Sequence, residues 1–183
     1  MTAAIERDAE AQRALLSGDR HAALATFKEA ATLYRRSWEE SPPGSYGRLV
    51  GMIKSSILAE DATGEAAYAQ DALADDDAVA GSPTASYARA LAALVLGHDA
   101  EARRWAEAMG AGGEAFERTA RAIAALALRD GDAYTSALGG VVRDFEERQS
   151  HLTGVEIADT AVMLERLAAA RGMASGIESP LLP

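Results

Sequence analysis

The sequence predicts an all-α protein built as an array of antiparallel helix hairpins. Gly64, Gly97 and Gly131 stand 33 and 34 residues apart, which is the period of a two-helix repeat. Alanine and leucine carry the apolar fraction, and aromatic residues make up only 5% of the chain, a composition that favours closely packed helices over strands. We therefore expect about nine helices, with each of these glycines closing one helix and opening the next.

Amphipathic segments follow one another along the chain, and most of them end at glycine or proline. Their apolar residues recur at three- and four-residue spacing, most clearly in the segment 20–40. That segment ends before Pro42, because a residue that precedes proline leaves the α region, and Ser82-Pro83 is typical of a helix start. The predicted helices cover 2–17, 20–40, 46–61, 64–74, 83–96, 99–109, the stretch from the turn at 110–113 to 129, 132–148 and 153–171.

Two glycine-containing stretches lie inside predicted helices. Gly139 and Gly140 fall within the helix over 132–148, where each costs about 1 kcal/mol relative to alanine. We expect a close helix crossing or a kink there.

Residues 51–55 partly match the pattern of a phosphate-binding loop, but the first glycine of that motif is missing and no strand precedes it. We interpret 51–55 as helix interior.

Length and composition predict one cytoplasmic domain. The 183 residues are enough for a single hydrophobic core, and the chain has no cysteine, which fits a reducing compartment. The first residues lack the basic and apolar regions of a signal peptide. The longest strongly apolar stretch, 90–96, is far short of the roughly 20 residues that span a bilayer. We expect no membrane span.

The negative charge of the chain is concentrated in one segment. The net charge is −10, and residues 61–100 contain seven acidic residues and one basic residue. Because the phosphate backbone of a nucleic acid requires a basic face, we expect no nucleic-acid partner. An acidic surface of this kind would suit a basic protein instead.

The turn Gly18-Asp19 and the residues after it match a known repeat. Ala23, Phe27 and Ala30 follow the turn as the small, aromatic and small residues follow the Gly-Asp turn of the tetratricopeptide repeat. Residues 1–150 resemble a degenerate tetratricopeptide array. The resemblance implies a right-handed superhelix of hairpins.

The remaining residues are assigned to the same domain, which we place at 1–183. Residues 151–172 are predicted to form a C-terminal capping helix. Residues 173–183 are too short and too interrupted by proline for a helix, and apolar enough to dock on the body as a tail. An exposed apolar patch near 153–172 would favour a homodimer.

A second resemblance is carried by stretches in the second half of the chain, which are 122–126 with 129–132, 157–161 with 167–168 and 171–172, and 179–183. In these stretches the chain is similar to a bacterial family, immunity protein 49, and to related actinobacterial helical proteins. The resemblance implies an interaction protein that neutralises a toxin by binding it.

Four residues are candidates for binding a partner in the tetratricopeptide register. Lys54, Tyr87, Arg118 and Arg121 would face the concave groove, where this mostly basic set could hold a peptide that bears carboxylates. The alternative is ordinary pairing within a helix, such as Glu117 with Arg121.

A second candidate set is the acidic run Asp75, Asp76 and Asp77. Negative charge at the C-terminal end of a helix is unfavourable because the helix dipole is already negative there. Acidic residues at such a position favour a role in binding a partner. The alternative is a solvated loop. The residues that follow lack the glycine and the bidentate glutamate of a calcium loop.

The sequence offers no motif for catalysis, metal binding or a cofactor. His21, His98 and His151 lie in or beside separate turns without a second ligand at metal-binding spacing, and no nucleophile-elbow motif is present. We therefore expect a non-enzymatic protein–protein interaction module that binds a protein or peptide without a cofactor. The alternatives are an immunity-like inhibitor of a basic toxin, and an enzyme or small-ligand binder on a helical scaffold.

Overall fold

Nine α-helices, one short 3-10 helix (Gly110–Gly112) and no strand make up the regular structure in the computed structural model, which describes residues 1–74 and 81–183. The prediction of an all-α protein is confirmed. The candidate set Asp75, Asp76 and Asp77 lies outside the described residues. The helices are α1 (Thr2–Leu16), α2 (Arg20–Glu39), α3 (Gly47–Leu58), α4 (Thr63–Ala72), α5 (Pro83–Leu96), α6 (Asp99–Met109), α7 (Glu114–Leu128), α8 (Gly131–Glu146) and α9 (Asp159–Ala169).

Side-chain caps explain where three of the helices begin. The carboxylate of Asp19 accepts the backbone N–H three residues later at 3.0 Å, and Asp130 does the same at 3.0 Å. The Ser82 hydroxyl caps α5 at 3.2 Å, directly before Pro83. Each cap satisfies a backbone donor that the first helical turn would otherwise leave unpaired.

The glycines at the turns are not structurally equivalent. Gly97 ends α5, as predicted, and adopts the left-handed conformation with φ of 78°. Gly64 and Gly131 instead lie inside the first turn of α4 and α8, so the prediction that they also close the preceding helix is wrong. The left-handed residues that follow α3 and α7 are Glu60, with φ of 60°, and Arg129, with φ of 56°.

Most helices that follow one another in the chain pack side by side. The closest packing joins α1 with α2, α2 with α3, α5 with α6, α6 with α7 and α7 with α8. The first helices of the hairpins α3–α4, α5–α6 and α7–α8 also contact one another in order, α3 with α5 and α5 with α7. We call these three helices the first-helix row. The last helix, α9, packs against α3, α7 and α8.

The C-terminal segment departs from the predicted helix over 153–171. The helix begins at Asp159, and Val155 and Ile157 are buried in a non-helical stretch. The N–H of Ala158 donates to the Leu181 carbonyl at 2.9 Å, which ties this stretch to the tail. Apolar side chains of the tail, including Ile177, pack against the core. None of the large hydrophobic side chains at 153–172 is exposed.

The expected close crossing at Gly139 and Gly140 is absent, because a Cβ there would meet no neighbouring atom closer than 3.7 Å. The helix α8 runs through both glycines without interruption. A close approach occurs at Gly51 instead, where a Cβ would lie 2.7 Å from the ring of Tyr34. Residues 51–55 are helix interior, as predicted. In the described part of the chain no helix is long and apolar enough to cross a membrane.

Candidate binding site

An ionic cluster lies in the interior where α1, α3 and α9 meet, and we define it as Asp8, Gln12, Lys54 and Asp159. Lys54 Nζ donates to Asp159 Oδ2 at 2.6 Å, and both side chains are only 12% exposed. Gln12 Nε2 donates to the same oxygen at 3.4 Å. The hydroxyl of Thr153 donates to Gln12 Oε1 at 2.5 Å. The cluster therefore connects the C-terminal segment to both α1 and α3.

Two buried carboxylates share one ammonium group in this cluster. Burial raises the pKa of Asp8 to about 6, and the charge of Asp159 adds to the rise while Lys54 opposes it. Tyr34 donates to Asp8 Oδ2 at 3.4 Å, whereas Asp8 Oδ1 has no hydrogen-bond partner among the described residues. Burial alone would lower the pKa of Lys54, but Asp159 and Asp8 together raise it above its ordinary value. Lys54 therefore stays positively charged.

Lys54 already binds a carboxylate, and that carboxylate belongs to the same chain. The sequence suggested Lys54 as a ligand for the carboxylate of a partner peptide, but Asp159 of α9 occupies this position at 2.6 Å. Because α9 packs on α3 and α7, it covers part of the first-helix row. Lys54 is consequently not accessible to a partner.

Tyr87 and Arg118 line a cavity of about 150 Å³. Arg118 Nη2 donates to Asp144 Oδ1 at 2.5 Å, and Arg148 Nη2 donates to the other oxygen of Asp144 at 2.5 Å. We call this space the α7–α8 cavity. Its lining residues come mainly from α7 and α8 and are Tyr87, Met109, Ala115, Phe116, Arg118, Thr119, Val141, Asp144, Phe145, Arg148 and Thr160.

Arg121 lies elsewhere, on the exposed side of α7, where it forms an ion pair with Glu117. This is the pairing within one helix that stood as the alternative to a groove. Lys54 is paired in the interior, Tyr87 and Arg118 line the α7–α8 cavity, and Arg121 borders a different depression. The four predicted residues do not form one binding surface.

The depression beside Arg121 lies between α6 and α7, and we call it the α6–α7 groove. It has a volume of about 570 Å³. Leu128 stands in it with 56% of its surface exposed. The other lining residues are Ala100, Arg103, Arg104, Ala106, Glu107, Gly110, Glu117, Ala120, Arg121 and Ala124. Sequence reasoning missed this groove. Its signal was Arg103, which lies three residues from both Ala100 and Ala106 and is followed by a second arginine, Arg104.

Most described acidic residues of the segment 61–100 are paired within the molecule. Asp61 binds Lys28 at 2.6 Å, Glu65 binds Arg35 at 3.3 Å and Asp99 binds Arg171 at 3.4 Å. The remaining acidic residue described there, Asp71, forms no ion pair with another described residue. Of the four acidic residues described in this segment, three therefore have a basic partner in the same chain.

No group of three or more His, Asp or Glu side chains within residues 1–74 and 81–183 could hold a metal ion. Comparison with models of protein families, with curated proteins and with solved structures found no match for this chain. The resemblances to the tetratricopeptide repeat and to immunity protein 49 therefore stay expectations, and the geometry of the two open sites carries the functional argument.

Proposed function

We propose that the protein is a non-enzymatic interaction module, of tetratricopeptide-like type, that binds an acidic helix of a partner protein in the α6–α7 groove. One observation carries this proposal. An open depression of about 570 Å³ has an apolar floor, and more arginines than glutamates line it. A groove of this kind matches the mode in which an amphipathic helix lays its apolar face between two helices.

The floor of the groove suits a close helix contact. Its apolar side chains are mainly alanine, from both α6 and α7, and small residues allow two helices to approach closely. Leu128 adds a large apolar side chain that is 56% exposed. An apolar floor bordered by charged residues is typical of an interaction surface.

The charges along the groove favour a negatively charged helix. Three arginines and two glutamates line it, and Arg121 is neutralised by Glu117. Arg103 forms no ion pair with any residue that the structure describes, and Arg104 lies over the ring of Trp105 at 4.8 Å. Arg103 and Arg104 can therefore donate charge-assisted hydrogen bonds to carboxylates of a partner.

The alternative, an immunity-like inhibitor of a basic toxin, requires free negative charge on the segment 61–100. Asp61, Glu65 and Asp99 are engaged with basic residues of the same chain. We therefore favour the α6–α7 groove over the acidic segment as the interaction site.

Site-specific photo-crosslinking tests the proposal in cells that naturally contain the protein. With p-benzoylphenylalanine in place of Leu128, we expect one discrete adduct with a partner protein. With the same group in place of Ala67, an exposed alanine on α4, we expect none. The double variant Arg103→Glu/Arg104→Glu should lose the Leu128 adduct, because it reverses the charge of the rim.

Three outcomes would contradict the proposal. They are the absence of an adduct at Leu128, equal adducts at Leu128 and Ala67, and an adduct made of two copies of this chain. A partner adduct that survives the reversal of charge at Arg103 and Arg104 would also reject the acidic helix as the ligand.

A further inference from the structure

We propose that the α7–α8 cavity is a separate binding site for a small monocarboxylate whose body is one ring or a short aliphatic chain. The proposal does not depend on the α6–α7 groove, because none of the residues that line the cavity also lines the groove. It rests on the size of the cavity, on its apolar walls and on a buried donor, Arg118 Nε, that has no partner among the described residues.

The cavity has the size and the walls for a small apolar body. Its volume of about 150 Å³ equals that of an engineered protein cavity that accepts benzene. Met109, Phe116, Val141 and Phe145 supply apolar surface. The rings of Phe116 and Tyr87 meet edge to face, with centroids 6.2 Å apart and an interplanar angle of 81°. One aromatic ring would fill the space between these walls.

One hydrogen-bond donor of a residue that lines the cavity is buried and unused. Arg118 Nε has no hydrogen-bond partner in the part of the chain that the structure describes, whereas the Tyr87 hydroxyl lies beside Thr160. Buried donors are satisfied in nearly all proteins by a protein group, a water or a ligand. A carboxylate offers two oxygens, each of which accepts such donors.

The charge at the cavity favours a monoanion. Asp144 binds both Arg118 and Arg148 through separate oxygens, so two guanidinium groups face one partly buried carboxylate. Arg118 Nη1 also donates to Glu114 at 3.4 Å, but the Glu114 side chain is 88% exposed, and salt weakens such an exposed pair. A cation would find no free carboxylate, since Asp144 is already shared by two arginines.

Methyl resonances of methionine give a direct test with benzoate as the probe. The chain has five methionines, and Met109 lines the cavity while Met1, Met52, Met163 and Met173 do not. In protein labelled at the methionine methyl carbons, we expect benzoate to shift the Met109 signal saturably and the other four to stay unchanged. Benzyl alcohol, which has the same ring without the charge, should bind about tenfold more weakly.

Variants decide whether Arg118 recognises the carboxylate. Arg118→Leu should weaken benzoate binding by about tenfold or more and leave benzyl alcohol binding unchanged. Arg121→Leu, on the same helix but outside the cavity, is the matched control and should bind benzoate as the wild type does. Val141→Phe should fill the cavity and block both compounds, and it keeps the test decisive if Arg118→Leu disturbs the fold.

The proposal is rejected if benzoate causes no saturable shift of Met109, or if benzyl alcohol binds as tightly as benzoate. It is also rejected if Arg121→Leu loses benzoate binding to the same extent as Arg118→Leu, or if Val141→Phe still binds benzoate. In each of these cases the cavity holds water or any small apolar molecule rather than a carboxylate.

Discussion

At the scale of single residues, Asp8 is a carboxyl group whose pKa is raised by burial. Its pKa rises from 3.8 to about 6 in the folded protein, so between these values the folded state binds the proton more tightly than the unfolded chain does. Stability from this group is therefore fully present below about pH 4 and is lost as the pH rises through 6. Asp8→Asn removes this dependence.

We expect Asp8→Asn to have little effect on the free energy of unfolding near pH 4 and to raise it by roughly 2–3 kcal/mol at pH 7, relative to wild type. Urea unfolding of both proteins at a series of pH values measures the difference. Glu6→Gln, which changes an exposed carboxylate on the same helix, is the control and should show no such trend. A difference for Asp8→Asn that does not vary with pH would contradict the assignment.

Arg129 is a residue other than glycine whose backbone lies in the left-handed region. Its φ is 56°, which is unfavourable for a residue with a Cβ. The one ion pair that it forms with a described residue, Asp99, is long at 3.9 Å. We expect Arg129→Gly to raise the free energy of unfolding by about 0.5–1 kcal/mol. Gly97→Ala, at the equivalent helix end with φ of 78°, should lower it. Thermal unfolding checks both, and a destabilised Arg129→Gly would mean that the ion pair outweighs the strain.

At the scale of helices, two glycines inside helices have opposite roles. A Cβ at Gly51 would lie 2.7 Å from the ring of Tyr34, whereas at Gly140 its nearest neighbour would be Arg118 Cδ at 3.8 Å. Gly51→Ala should therefore destabilise the protein by about 1–3 kcal/mol through overpacking. Gly140→Ala should stabilise it by about 0.5–1 kcal/mol because alanine favours the helix. Urea unfolding gives both values, and equal effects of the two substitutions would contradict this packing.

The helices themselves were largely predictable from the sequence, because local signals determine them. The segment 20–40 was predicted and α2 spans Arg20–Glu39, and the segment 83–96 was predicted and α5 spans Pro83–Leu96. The prediction for 153–171 was wrong at its start. Val155 and Ile157 are buried in a non-helical stretch, and the spacing of apolar residues alone does not separate such a stretch from a helix.

At the scale of the whole molecule, the candidate sites depended on contacts that sequence spacing cannot supply. Glu117 and Arg121 are four residues apart, so their pairing was open to prediction. Lys54 and Asp159 are 105 residues apart, and only the packing of α9 on α3 brings them together. The α6–α7 groove likewise exists only because α6 and α7 lie side by side.

Several contacts spread over α9 attach it to the rest of the protein. Arg166 pairs with Glu60 at 2.7 Å, and Glu165 accepts from the Tyr134 hydroxyl at 2.8 Å. The Lys54–Asp159 pair differs from the Arg166 pair because it is almost completely buried. Removal of one partner from such a pair leaves an uncompensated charge in the interior. We therefore expect the pair to couple α9 to the array more strongly than an exposed pair could.

A double-mutant cycle measures this coupling. Lys54→Met and Asp159→Leu should each lower the free energy of unfolding by about 3 kcal/mol or more, and the double variant should lose much less than their sum. The exposed pair Lys28–Asp61 has the same 2.6 Å distance between Nζ and Oδ2, and a matched cycle there should show no measurable coupling. Urea unfolding at pH 7 provides all the values. Additive losses at Lys54 and Asp159 would mean that apolar packing alone holds α9 on the array. The charge of Lys54 would then contribute nothing to this attachment.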